Sequence, residues 1–284
     1  MSKSGIASST SFDNFAANKP NMKRRSFLKS SLAVSATGLA TSLATRAADS
    51  KLKVNPEYYE LRTYTLRAAK QPLLDGYLSK AFIPAVKRLG SGPVGVFVEK
   101  LETGEVKVFM LIVHASAEQF ATLSARLAAD AEHRRAGAEY LAAVAADPVY
   151  SRIESSLLAA IEGMPKLARP DASKPRLLNL RIYESHNERA AKKKIEMFNT
   201  GELAIFRRVG LTPVLFGETI LGAKMPNLTY LLVFPDEAGR KKAWDTFRAD
   251  PAWLKLKAMP EYADKEIVST ITNKILTPAA YSEI

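Results

Sequence analysis

A chain of 284 residues without a single cysteine excludes disulfides, thiolate metal sites and thiol catalysis. With 47% hydrophobic and 25% charged residues it has a globular composition, enough for one large domain or two small ones. The net charge of +12 suggests nucleic acid, yet residues 1–47 alone supply +6, and the Lys192–Lys194 and Arg240–Lys242 runs lack interleaved aromatics; they read as solvated helix faces, and no nucleic-acid partner is expected.

Residues 1–21 are polar and without hydrophobic period, which reads as disorder. Lys23-Arg24-Arg25-Ser26-Phe27-Leu28-Lys29 follows and resembles a twin-arginine export signal. The weakly apolar stretch Ser30–Ala44 is too short and polar for a membrane span, and Thr45-Arg46-Ala47 offers small residues for cleavage near Ala47. The expectation is export by the twin-arginine machinery to the periplasm or medium, with translation starting at Met1 or Met22.

From there the chain repeats itself. Leu61-Arg62-Thr63-Tyr64 matches Leu180-Arg181-Ile182-Tyr183 at an offset of 119, and Lys87–Gly90, Pro93-Val94 and Val108–His114 match Arg207–Gly210, Pro213-Val214 and Leu228–Phe234 at 120. Each copy reads strand, helix, strand, strand, helix, strand. In the first, Tyr58–Leu66 alternates as a strand, and Leu73 to Leu89 follow a helical period, with a kink expected at Pro84. Val94–Lys100 and Glu105–Val113 form a hairpin; Ser116 to Gln119 has capping-box spacing before an Ala-rich helix reaching toward Ala145. Tyr150–Ile161 holds the closing strand.

In the second copy Leu177–Tyr183 is a strand, and Ser185 to Glu188 has capping spacing before a helix burying Ile195, Phe198, Ile205 and Phe206. Phe216–Leu221 and Leu228–Phe234 form a hairpin, Trp244, Phe247 and Trp253 face inward from the next helix, and Ile267–Leu276 is the last strand. The expected organisation is a leader over 1–47, a first repeat over 48–165, a Pro-containing linker over 166–175 and a second repeat over 176–284. A βαββαβ unit is ferredoxin-like and leaves one sheet face bare. The fold class expected is therefore α+β, two tandem ferredoxin-like repeats closing into an α/β barrel.

Phe206–Leu211, Phe216-Gly217-Glu218, Pro226–Tyr230 and Trp244 through Trp253, with Glu60–Tyr64 in the first copy, resemble the NIPSNAP family. That resemblance implies the dimeric α/β-barrel group, whose members include cofactor-free monooxygenases; the activity of this chain does not follow from the fold.

Strand alternation puts Arg62 and Tyr64 on one face with Glu60, and Arg181 and Tyr183 on one face with Asn179. If the apolar faces meet the helices, the Arg–Tyr pairs line the barrel interior, joined by Glu218, Tyr230 and, at the mouth, His114. Such an interior suits a small acidic or phenolic ligand. Three alternatives stand beside it: a network in which Arg62 and Arg181 pair with Glu60 and Glu218; a cofactor-independent monooxygenase or isomerase in which Arg181 holds an anion and Tyr183 or His114 moves a proton; and a non-catalytic interaction protein. The histidines lack metal-ligand spacing, and no cofactor is expected; a homo-oligomer is compatible with the pattern.

Overall fold

Leucine-rich and β-branched segments, each flanked by turn residues, form eight strands: β1 (Tyr58–Arg67), β2 (Val94–Lys100), β3 (Glu105–His114), β4 (Arg152–Ala160), β5 (Leu177–Glu184), β6 (Thr212–Leu221), β7 (Asn227–Phe234) and β8 (Thr270–Pro278). The structure is a computed structural model that describes residues 55–101 and 104–284; the export motif, the cleavage site and the turn residues Glu102 and Thr103 lie outside the described residues. The strands close into one antiparallel barrel in the order β1-β3-β2-β8-β5-β7-β6-β4. Each half contributes its four strands in the ferredoxin-like order 4-1-3-2, and each half's last strand joins the other half. β4 meets β6 through Leu157–Ala160, and β8 meets β2 only at Phe97 and Val98. The C-terminal tail covers the rest of the β2 edge: Val94 N–H donates to Glu283 and Val96 N–H to Ser282, while Ile284 is fully buried.

Two helical layers flank the barrel. The first half supplies α1 (Gln71–Tyr77), α2 (Ile83–Arg88), α3 (Ala117–Ala129), α4 (Ala131–Ala136) and α5 (Ala138–Leu141). The second supplies α6 (Glu188–Met197), α7 (Leu203–Val209), α8 (Glu237–Ala249), α9 (Pro251–Lys257) and α10 (Asp264–Ile267). Between α1 and α2 the helix widens into a π turn over Leu78–Phe82, and Pro84, where the sequence predicts a kink, falls in the first turn of α2. Proline is not the cause, because the same π turn recurs between α6 and α7 at Phe198–Glu202, where the equivalent residue is Ala204. Both turns carry a hydroxyl bonded to the carbonyl four residues back, Ser79 on Asp75 and Thr200 on Glu196, which loosens the regular ladder there.

Three sequence readings change. The Ala-rich helix stops at Asp130, whose extended backbone ends α3 and whose carboxylate accepts from His133 N–H to start α4. The cap of α6 is Asn187, accepting from Ala190 N–H, while Ser185 donates to the Ile267 carbonyl. Ile267 itself closes α10 rather than opening β8.

The barrel interior holds leucines. Leu61, Leu111, Leu158, Leu180, Leu215, Leu231 and Leu276 meet at its centre with Phe97 and Thr229, leaving about 10 Å3, scarcely room for one water. An eight-stranded barrel is just wide enough for its own side chains. A guanidinium there would have no partner and no water, so the apolar faces turn inward. The expected polar, ligand-holding interior is thus corrected: Arg62, Tyr64, Arg181, Tyr183, Glu218 and Tyr230 all sit on the outer face, under the helices.

Candidate functional site

Because β1 alternates, Glu60, Arg62 and Tyr64 project together into the space between the first half's sheet and its helices. Arg62 Nε donates to Glu60 Oε1 at 2.8 Å, Nη2 lies 2.6 Å from the same oxygen, and Nη1 donates to the Tyr64 hydroxyl at 3.3 Å. That engages three of five N–H groups. The guanidinium also lies 5.5 Å from the centre of the Phe82 ring. β4 places Ser155 opposite Arg62, and Ser155 donates to Glu60 Oε1 at 2.9 Å.

His114, at the end of β3, is fully buried. Its Nδ1 is 3.1 Å from Ser91 Oγ, and its Nε2 stands 3.7 Å from Glu60 Oε2, too far for a hydrogen bond. Among the described residues that Nε2 has no hydrogen-bond partner. Burial pushes the Glu60 carboxyl up, but His114, Arg62 and Ser155 outweigh it and hold it below the usual carboxylate range. Glu60 is therefore an ionised carboxylate at neutral pH, and its three contacts with described donors, two from Arg62 and one from Ser155, all fall on Oε1.

Facing this group across the cleft is a second pair. His133 Nδ1 lies 3.0 Å from the Leu127 carbonyl, which can only accept, so Nδ1 carries the proton and Nε2 is the acceptor. The Tyr77 hydroxyl, 2.9 Å from Nε2, is then the donor. Tyr140 stacks on Tyr77 with ring centres 3.9 Å apart, and burial pushes the Tyr77 phenol well above its usual value. Glu60, Arg62, Tyr77, Phe82, Phe120 and His133 border an open cleft of about 760 Å3, with Ser124, Leu127 and Ile153 completing its sides.

The second half builds the same frame and fills it. Arg181 takes the place of Arg62 and Asn179 that of Glu60. Asn273 stands opposite Arg181 in β8 as Ser155 stands opposite Arg62 in β4. Here the indole of Trp244, from α8, lies with its ring centre 4.6 Å from the Arg181 guanidinium carbon and donates Nε1–H to Asn179 Oδ1 at 3.2 Å. Arg181 also reaches Asn273 at 3.3 Å, and its Nε is buried with no partner among the described residues. The Tyr230 hydroxyl donates to Tyr183 at 2.8 Å, and Tyr230 stacks on Phe216. Where the first half has Leu74 and Phe82, the second has Lys194 and Glu202, an ion pair of 2.8 Å with both side chains 2% exposed. Burial pushes the Glu202 carboxyl up against the pull of Lys194.

The seven sequence candidates thus separate into two groups. Arg62 and His114 stand against Glu60 in the first half, and Tyr64 joins them through Arg62. Arg181, Tyr183 and Tyr230 gather in the second, and Glu218 stands apart, paired with Lys192 at 2.7 Å instead of Arg181. The expected Arg62–Glu60 pairing is present; the Arg181–Glu218 pairing is not. Lys194 is also a correction, since the Lys192–Lys194 run was read as solvated and its third member is buried. Tyr77 and His133 were missed. The signal for His133 was the repeat itself: it stands 120 residues before Trp253, on a helix capped by Asp130 as Trp253's helix is capped by Asp250.

Comparison with known proteins fits this architecture. The sequence matches the NIPSNAP family over residues 59–162 and again over 178–283. No curated protein matches. Among solved structures, the chain is similar to a candidate monooxygenase from Fusobacterium nucleatum, with 8% identity over 79% of this chain and 93% of that one and a TM-score of 0.52. It is similar to an anthrone oxidase-like protein at 9% identity, over 81% and 96% of the two chains, TM-score 0.50. An uncharacterised NIPSNAP-like domain protein from Burkholderia xenovorans matches at 21% identity over 38% of this chain and 88% of its own, TM-score 0.34. For the first two, identities this low speak for the fold alone. With the family matched twice along most of its length, the chain belongs to the NIPSNAP family.

Proposed function

We propose that this protein binds a small phenolic or acidic molecule, and that the ligand enters the cleft between the first half's sheet and helices instead of the barrel interior. One observation carries the reading: of two equivalent positions in one chain, the first is an open cleft of about 760 Å3 while the second is filled by Trp244. Its volume falls within the range of small-molecule sites, and its walls are apolar with a few polar groups, the usual make-up of such a site. Two N–H groups of Arg62 remain for a ligand oxygen once Glu60 and Tyr64 have taken theirs. We also propose export in the folded state by the twin-arginine route, on the strength of Arg24-Arg25 and the residues around them.

A second reading, acid–base chemistry of the isomerase or cofactor-independent monooxygenase kind, is favoured by the Tyr77–His133 pair. With Nδ1 held on the Leu127 carbonyl, an Nε2 that accepts from the phenol can take a proton passed along from a ligand hydroxyl. Here Tyr77 and His133 take the part first assigned to Tyr183 or His114.

Native mass spectrometry on protein recovered from the periplasm tests the binding reading. A small-molecule adduct, or a shift on adding a panel of phenols, is expected for the wild type and for Arg181→Met, and is expected to be lost in Arg62→Met. Absence of any adduct across the panel, or loss in Arg181→Met alone, overturns it.

A further inference from the structure

The molecule carries a template for its own ligand. α3 and α8 are both 13 residues long, begin 120 residues apart and are capped by Ser116 and Asp236, so Ser124 and Trp244 occupy equivalent positions. In the second half the Trp244 side chain does three things at once. It presents a flat bicyclic face to the Arg181 guanidinium at 4.6 Å, donates one N–H to Asn179 at 3.2 Å, and packs its edges on Phe206 and Phe247 with ring centres 5.8 and 5.7 Å away. In the first half the indole is missing, the polar part of its setting is present, and the aliphatic Val86 and Leu127 stand for Phe206 and Phe247. Arg62 stands for Arg181, Glu60 for Asn179, and Ser124 lines the cleft where Trp244 would enter.

We infer that the first-half cleft takes a planar aromatic molecule of at least two fused rings bearing one hydrogen-bond donor, a phenol O–H or a ring N–H. Its face lies against Arg62 and its donor meets Glu60. This rests on the reading that the cleft holds a ligand, and narrows it. Planar guanidinium groups stack on aromatic faces, as Arg181 does here. Glu60 has the acceptor to offer: Oε1 is taken by Arg62 and Ser155, while Oε2, with His114 Nε2 3.7 Å away, accepts no hydrogen bond from a described residue. The same carboxylate neutralises Arg62, so a ligand carrying its own carboxylate would face Glu60 with like charge. Of the two classes first considered, phenolic and acidic, the phenolic one is selected.

The test uses the processed wild-type protein with four probes: 2-naphthol, indole, 2-methoxynaphthalene and 2-naphthoate, titrated by calorimetry at pH 7. The expected result is binding of 2-naphthol and indole with a stoichiometry of one. 2-Methoxynaphthalene, which lacks the donor, and 2-naphthoate, which brings a charge, should bind about tenfold more weakly or worse. Ser124→Trp copies the second half's plug and should abolish binding while far-UV circular dichroism and thermal midpoint are kept. Trp244→Ser, if it folds, should raise the stoichiometry from one to two. Equal affinity for 2-naphthol and 2-methoxynaphthalene, lost in Ser124→Trp, overturns the donor–acceptor match and leaves the cleft reading standing. Failure of all four probes, or binding indifferent to Ser124→Trp, overturns both.

Discussion

The two halves of this barrel are built on one plan and have diverged at the place where a ligand would sit. Both have an arginine on the outer face of the first strand, a π turn after the first helical segment, and an Arg–Asp pair, Arg88–Asp130 and Arg208–Asp250, tying the helices together. The first half spends its interlayer space on a cleft edged by Glu60, Arg62, Tyr77 and His133. In the second, Asn179 and Trp253 stand for Glu60 and His133, Trp244 for Ser124, and the Lys194–Glu202 pair for Leu74 and Phe82, and all of these side chains are buried. What the difference teaches is that position in the fold permits a site without making one. The frame is structural in both halves, and a bulky residue at 244 against a small one at 124 decides which is open.

The most severe way to break the comparison is at Lys194. Removing it by Lys194→Met leaves Glu202 buried without its partner, at an expected cost of about 3–5 kcal/mol. The double variant Lys194→Leu/Glu202→Met makes the second half apolar there, as Leu74 and Phe82 make the first, and should recover the loss or end slightly more stable than wild type. Urea unfolding read by tryptophan fluorescence follows this half directly, because both tryptophans lie in it. A double variant no better than the single one would show that the ion pair does more than fill space.

Close behind comes the barrel interior, where Leu180→Ala opens a hole among packed leucines and should cost about 2–5 kcal/mol. Binding of 2-naphthol should be unchanged by it. Weakened binding in a variant that remains folded would return the site to the interior.

How much of this was written in the sequence depends on which physical constraint spoke. The repeat offset and the strand and helix periods carried the fold, because tandem βαββαβ units with bare sheet faces have few ways to close. The sidedness of Arg62 and Arg181 was not carried. In a closed barrel under helices both strand faces are buried, so alternation divides Leu178 and Leu180 from Asn179 and Arg181 without saying which pair points inward. Volume and hydrogen-bond partners decide that, and neither is local. The break at Asp130 was hidden by helix-favouring alanines on both sides, although Asp130-Pro-like capping is spelled out openly in the second copy as Asp250-Pro251. Lys194 was hidden by its neighbours: the charge run is real, and only the helical phase separates buried Lys194 from exposed Lys192.

A subtler contrast is acid sensitivity. Glu60 titrates in the folded protein below the ordinary carboxylate value of about 4.5, and its counterpart Asn179 does not titrate at all. A depressed folded pKa contributes stability that is fully present above the unfolded value and is lost as pH falls through the folded one. Glu60→Gln should therefore cost roughly 1.5–3 kcal/mol at pH 7 by weakening hydrogen bonds to a charged group. The gap between variant and wild type should close as pH drops below about 4. Thermal midpoints of the two proteins from pH 7 to 3 check this, and parallel curves would mean that the Glu60 charge adds nothing to the fold.

The smallest effect expected discriminates the halves most finely. Asp250 accepts from Ala252 and Trp253 N–H at 2.9 and 3.1 Å and holds Arg208, so Asp250→Ala should cost about 1 kcal/mol as a lost helix cap. Asp130 makes the matching cap on His133 N–H at 2.7 Å and holds Arg88, and Asp130→Ala should shift stability in the same direction. The consequences for binding differ, because the helix that Asp250 starts presents Trp253 to a closed core, whereas the helix that Asp130 starts presents His133 to the cleft. Asp130→Ala should loosen His133 against Tyr77 and weaken 2-naphthol binding, while Asp250→Ala should leave binding untouched at matched stability. If both variants bind as wild type does, His133 is a packing residue of the cleft wall, and the acid–base reading of the Tyr77–His133 pair loses its support.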